Sequence, residues 1–152
     1  MTLMSRPELE HLEPQTLKPY ANNARTHSKK QIRQIASSIE RYGFTNPVLI
    51  DEAGGIIAGH GRVLAAMSVG MAQVPCLRLS HLSEADKRAY ILADNKLALN
   101  AGWDQELLAI ELKGLIEANY NVEATGFTVG EVDAVLLAAD AGSPAGAGVR
   151  TG

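Results

Sequence analysis

Cysteine is almost missing from this chain of 152 residues, where Cys76 stands alone. One thiol cannot close an internal disulfide, so a disulfide-stapled secreted scaffold is excluded and a reducing, cytoplasmic setting fits. Aromatic residues are scarce too, at 5%, which leaves Ala, Leu, Ile and Val to fill the core. No stretch approaches the length of a membrane span, and the opening MTLMSRPELE reads as neither signal peptide nor anchor. There is no Cys/His cluster with zinc spacing, no G-x-x-x-x-G-K-S/T phosphate loop, no dinucleotide fingerprint and no internal repeat. What remains is an ordinary balance for one small globular domain, 46% hydrophobic and 20% charged.

The net charge of -3 conceals an asymmetry. From Pro14 to Ile39 there are five bases (Lys18, Arg25, Lys29, Lys30 and Arg33) and no acid. From Asn100 to Asp140 there are eight acids against one base, Lys113. The basic segment suits an anion such as a phosphate, although pairing between the two halves would account for the same asymmetry.

The hydrophobic spacing predicts an α+β order. Residues 1–16 read as an arm or a short edge strand, and Lys18 to Arg25 as a turn-rich loop. Ser28 is suited to cap a helix bearing Ile32, Ile35, Ala36, Ile39 and Tyr42, and Gly43 to close it. Two short strands follow, from Pro47 to Asp51 and from Ile56 to Ala58, joined by Ala53-Gly54-Gly55. After Gly59-His60-Gly61 comes a short helix ending at Gly70, then a strand from Val74 to Leu79, where Cys76 reads as inert core. Ser83 to Asp86 resembles a capping box, and the helix it opens is expected to kink or break near Asp94-Asn95. An amphipathic helix over Asp104–Asn119 and a last helix opened by Thr128 to Glu131 complete the order. The Gly/Ala tail from Ala141 reads as a linker. The division expected is residues 1–100, a helical extension over 101–140, and a flexible tail over 141–152.

Three groups of residues carry possible chemistry. At Ile56 to Arg62 a strand runs through two glycines into a helix N-terminus, where free N–H groups and the macrodipole favour an anion and Arg62 adds a fork of donors. A tight turn alone would also account for those glycines. The loop with Asn22, Asn23, Arg25, Thr26, His27 and Lys29 is placed to wrap a nucleotide or lie on a nucleic-acid backbone, with Lys29 and Lys30 on the outer face of the helix. Asp94-Asn95 offers an acid and an amide for Mg2+ or a ribose hydroxyl, or else a helix cap. The four histidines are scattered, and only His60 falls in a candidate site.

Taken in order, these pieces resemble a known family. From about Leu17 to Asn100 the chain is similar to the N-terminal domain of ParB partition proteins, the "ParB-like nuclease" domain that shares its fold with sulfiredoxin. Pro19 and Arg25 match the family's opening proline- and arginine-containing motif. Gly43 to Ile50 matches G-L-x-Q-P-I-x-V, with Asn46 in place of Gln. Gly59-His60-Gly61-Arg62 with Ala65-Ala66 falls where the family has G-E-R-R-x-x-A, and Asp94-Asn95 on its E-N pair. The resemblance implies a small mixed sheet flanked by helices. It also implies a nucleotide, CTP in the family, held through Arg25, Asn46, Gly59, His60, Gly61 and Arg62, with Mg2+ at Asp94 and Asn95. Two departures bear on triphosphate affinity and hydrolysis: His60 replaces the acid, and Gly61 the first arginine. Sulfiredoxin has a cysteine where His60 stands, so the same resemblance argues against a sulfinic acid reductase.

The G-H-G-R variant looks more like the ParB-like domain at the N-terminus of some phage and bacterial DNA methyltransferases. The expected function is accordingly a nucleotide-binding domain, with NTPase activity open, serving DNA modification or segregation. The partners expected are a nucleotide, duplex DNA bound weakly and without sequence preference, a fused or separate methyltransferase, and a second copy in a homodimer. A metal-dependent DNA nuclease and a non-catalytic interaction module are the alternatives. Residues 101–140 read as too short and too acidic for a helix-turn-helix reader of DNA.

Overall fold

The computed structural model describes residues 7–21 and 26–142. The chain divides into two compact units, the first ending at Asn100 and the second beginning at Ala101. The first is α+β, with a four-stranded mixed sheet in the order β1-β4-β2-β3. Its strands are β1 (Leu9–Leu12), β2 (Val48–Ile50), β3 (Ile56–Ala58) and β4 (Val74–Arg78). β4 lies between β1, which it pairs antiparallel, and β2, which it pairs parallel. β2 and β3 form the antiparallel hairpin that delivers the chain to the glycine-rich joint.

Local chemistry explains each element. Helix α1 (Lys29–Tyr42) begins where the Ser28 side chain accepts a hydrogen bond from the Gln31 N–H, and it ends at Gly43, whose φ is 90°. The hairpin turn is built on Asp51, whose Oδ1 accepts from the Ala53 and Gly55 N–H groups at 2.9 and 2.7 Å. Helix α2 (His60–Ser68) buries Gly61, Val63, Ala65 and Ala66. Val63 and Ala66 join Leu17, Val48, Ile50, Ile56, Val74 and Cys76 in one core, with Leu12, Phe44 and Met71 packed against it. Burial raises the Cys76 thiol above its ordinary pKa, as suits inert core.

Helix α3 (Glu84–Asn100) corrects one expectation, because it runs unbroken through Asp94 and Asn95. Ser83 and Asp86 open it with reciprocal hydrogen bonds, each 3.1 Å. The Asn95 amide donates to the Ile91 carbonyl at 3.0 Å, one turn back in the same helix. The polar group expected to start a second piece thus bonds the backbone of the first.

In the second unit Asp104 caps helix α4 (Gln105–Glu117) by accepting from the Leu107 N–H. A 3-10 turn over Val122–Thr125 leads to helix α5 (Val129–Gly142), whose start is closed by the Thr128–Glu131 box. Leu108, Leu112 and Val132 form the core, with Val122, Phe127, Val135 and Leu136 against it. Among the described residues, no helix is long and apolar enough to cross a membrane.

Candidate functional site

The joint between β3 and α2 is shaped by Gly59, which adopts φ 109°, a conformation L side chains rarely take. A Cβ there would meet the Arg62 Nη2 at 3.0 Å and the Val48 backbone at 3.4 Å, so both geometry and space require glycine. No side chain caps α2, and its first turn holds no acid. The helix therefore presents free N–H groups and its positive dipole end to whatever lies in front.

In front lies a cavity of about 270 Å3, lined by Gly59, His60, Gly61 and Arg62 from the joint, His27 just ahead of α1 with Gln31 and Ile35 on it, and Ile91, Asp94, Asn95 and Ala98 from α3, among others. Three segments far apart in sequence thus converge on one anion-favouring helix end. Arg62 is half-buried: its Nη2 donates to the Pro47 carbonyl at 3.1 Å, while its Nε is buried with no hydrogen-bond partner among the described residues. A buried donor left unpaired costs about 1–3 kcal/mol, so this guanidinium is one acceptor short. Burial pulls the Arg62 pKa below its ordinary value and the Asp94 carboxylate partly offsets this. A guanidinium keeps its charge under such a shift.

His60 has a structural task as well. Its Nε2 accepts from the Tyr20 N–H at 3.1 Å, which ties the loop after Lys18 to the head of α2. That bond requires the neutral ring with its proton on Nδ1. Burial, and then repulsion from His27, hold the His60 pKa below its usual value.

The residues singled out from sequence fall into three sets. Gly59, His60, Gly61, Arg62, Asp94 and Asn95 come together at the cavity. Asn46 does not: it is exposed ahead of β2 and is absent from the lining. Arg25 lies outside the described residues, as do Asn22 and Asn23. His27, which the sequence placed in the basic loop but not among the residues expected to hold the phosphates, also lines the cavity. Its signal was faint, a histidine in a basic loop directly before the Ser28 cap. Asp51, the carboxylate of the hairpin turn, accepts from the Lys87 Nζ at 3.1 Å as well as from the turn. Burial pushes its carboxyl up, but the hydrogen bonds from Gly55, Lys87 and Ala53 prevail and hold it below its ordinary value. Among the described residues, no three His, Cys, Asp or Glu side chains group as a metal site.

Comparison with known proteins meets this geometry at several points. The ParB-like nuclease domain-containing protein YnaK of Escherichia coli is 57% identical over 74 residues, which cover 49% of this chain and 85% of that protein. The C-terminally truncated chromosome-partitioning protein ParB from Caulobacter crescentus, solved in complex with CTP-gamma-S, shares the fold with a TM-score of 0.69 at 20% identity. The match covers 85% of this chain and 77% of that one. Sulfiredoxin from Arabidopsis thaliana aligns over 56% of this chain and 98% of its own, with a TM-score of 0.48 and 16% identity. Residues 106–148 match the ParB-methyltransferase HTH domain. That match corrects the expectation that this stretch is too short and acidic for a helix-turn-helix. Charge reports on partners, not on fold, and α4, the 3-10 turn and α5 supply the helical pieces. The sequence model of the ParB N-terminal domain matches residues 2–96, and the chain belongs to that family.

Proposed function

We propose that this chain binds a nucleoside triphosphate, CTP or a close relative, with its phosphates at the head of α2, and that it serves DNA modification or segregation. Arg62, which lines the cavity and whose buried Nε has no hydrogen-bond partner among the described residues, carries this reading. Together with the uncapped N–H groups after Gly59, it is a donor set lacking an anion, and phosphate oxygens are the acceptors such a set fits. The cavity, about 270 Å3, falls just below the usual range for ligand sites, roughly 300–1,000 Å3, which suits the phosphate portion of a nucleotide. A Mg2+ ion held by phosphates needs only one or two protein carboxylates, and Asp94 in the α3 wall is suited to be one. The ion would neutralise phosphate charge there. The complex of the Caulobacter crescentus ParB with CTP-gamma-S supports the choice of nucleotide.

A nuclease fits less well, since metal-assisted cleavage calls for several carboxylates around the ion. The acidic second unit offers few phosphate contacts. On this reading DNA meets Lys18, Lys29, Lys30 and Arg33, all exposed, and the contact is weak and salt-sensitive. A methyltransferase, fused or separate, would supply sequence choice, and a second copy of this chain is a further partner.

Titration of the full chain with labelled CTP and the other three ribonucleoside triphosphates, with and without Mg2+, tests the proposal. Saturable binding with preference for one base is expected. Absence of binding to all four, with the protein folded by circular dichroism, overturns it.

A further inference from the structure

The departure from the family motif at Gly61 has a counterpart in space. Gly61 is buried, and a Cβ added to it would lie 3.0 Å from the His27 Cε1, 3.1 Å from the His27 Nδ1 and 3.0 Å from the Ile35 Cδ1. An arginine at position 61 and an imidazole at 27 therefore compete for the same ground. This chain has kept the imidazole. The ring is half-buried, lines the cavity beside Arg62, and is steadied by a 3.1 Å hydrogen bond between its Nδ1 and the Gln31 Oε1. With Nδ1 donating to that amide oxygen, Nε2 is the position left to gain a proton.

We propose that His27 replaces the motif's first arginine as the second cation of the anion site, so that anion binding takes up a proton and strengthens as pH falls through the histidine range. The inference rests on the reading of the cavity as a triphosphate site. The titratable groups lining that cavity are His27 ahead of α1, His60 and Arg62 on α2, and Asp94 on α3. Lys29 and Lys30 follow in sequence but are exposed. His60 is a poor proton acceptor, because charging it would break its bond from the Tyr20 N–H. Arg62 is charged throughout. Among the described residues, His27 gives up no acceptor bond by gaining a proton, since the bond it makes is the one from its Nδ1 to Gln31. An imidazole ordinarily titrates near pH 6.5, and an anion a few ångströms away favours its charged form.

The test compares the full-length chain with His27→Gln, His27→Lys and the swap His27→Ala/Gly61→Arg. Isothermal calorimetry would use tripolyphosphate and CTP at pH 6 and pH 8, in buffers of differing ionisation heat. The ligand's own titration is common to all four proteins and cancels in the comparison. Relative to wild type, His27→Gln is expected to bind about tenfold more weakly at pH 6, the loss of one charge-assisted contact, and nearly as well at pH 8. His27→Lys and the swap should bind alike at both pH values once the ligand is accounted for, and wild type alone should show proton uptake beyond the ligand's share in the buffer-dependent heat. If His27→Gln follows wild type at both pH values, the inference is overturned while the nucleotide site stands. If His27→Gln does not fold, the swap decides: buffer-dependent proton uptake equal to that of wild type overturns the inference. Failure of wild type to bind either anion at either pH overturns the reading of the cavity and this inference with it.

Discussion

Helices α2 and α4 begin in opposite ways. At α4 the Asp104 side chain takes up the Leu107 N–H at 3.1 Å, and Glu106 adds a second acid to the first turn. Its N-terminus is closed by its own sequence. At α2 the preceding residue is a glycine with no side chain to offer, and the first turn contains a cation, Arg62. The same difference separates α2 from α1, α3 and α5, which have Ser28, Ser83 and Thr128 as caps. A helix that is only a scaffold satisfies its first N–H groups locally, at a benefit of about 1 kcal/mol. One that forgoes this keeps those donors for something outside itself. The Arg62 Nε, buried and without a hydrogen-bond partner among the described residues, adds a side-chain donor to those of the α2 backbone.

The contrast can be broken at either helix. The largest effect is expected from Arg62→Ala, which removes the fork of donors at the open end. Loss of a hydrogen bond to a charged group is worth about 1.5–3 kcal/mol, so calorimetry should record CTP affinity falling by tenfold to a hundredfold. Binding as tight as the parent's would show that the donors at α2 serve no ligand. Asp104→Ala should do the reverse, lowering the stability of the second unit by about 1 kcal/mol in urea unfolding with CTP affinity unchanged. Smaller still is Asp94→Ala, expected to weaken CTP binding several-fold when Mg2+ is present and hardly at all in EDTA. Equal losses in both conditions would remove Asp94 from any metal role.

The smallest effect concerns pH. Because the fold holds His60 neutral, its pKa lies below the unfolded value of 6.5. Above pH 6.5 neither state carries the proton and the contribution to stability is complete. As pH falls below 6.5 the unfolded chain takes up the proton first, and stability is lost until the folded ring also charges and releases the Tyr20 N–H. Thermal unfolding followed from pH 8 to pH 5 should show this loss in wild type and a flatter profile in His60→Asn. Parallel profiles would mean that burial and the neighbouring His27 do not hold His60 neutral in the fold.

Most of the first unit was legible because its signals are local. Ser28 and Gly43 bracket α1 in sequence as they do in space, and Gly59 marks the sharp joint by its residue type alone. Asp94-Asn95 misled for a similarly local reason. Both are good capping residues, and only the surrounding helix decides that Asn95 turns back to the Ile91 carbonyl. That His27 sits against Gly61 was not legible, since the two lie 34 positions apart in sequence and meet only in the fold. The helix-turn-helix match was hidden by reading charge as though it constrained architecture.

Helix α3 is fastened to the sheet near one end. Lys87 reaches the Asp51 carboxylate at 3.1 Å and Ile91 is 5% exposed, whereas Leu92, Leu97 and Leu99 are 61, 67 and 72% exposed. The half that bears Asp94 and Ala98 along the cavity wall has, among the described residues, no ion pair to the hairpin like that of Lys87, and we expect it to open locally more readily than the half before Ile91. Amide hydrogens should record this as a step in protection, with those after Leu92 exchanging through small, subglobal openings while those of the first two turns wait for larger ones. A ligand bridging α2 and Asp94 would erase the step, making exchange along α3 a measure of occupancy that needs no label on the ligand.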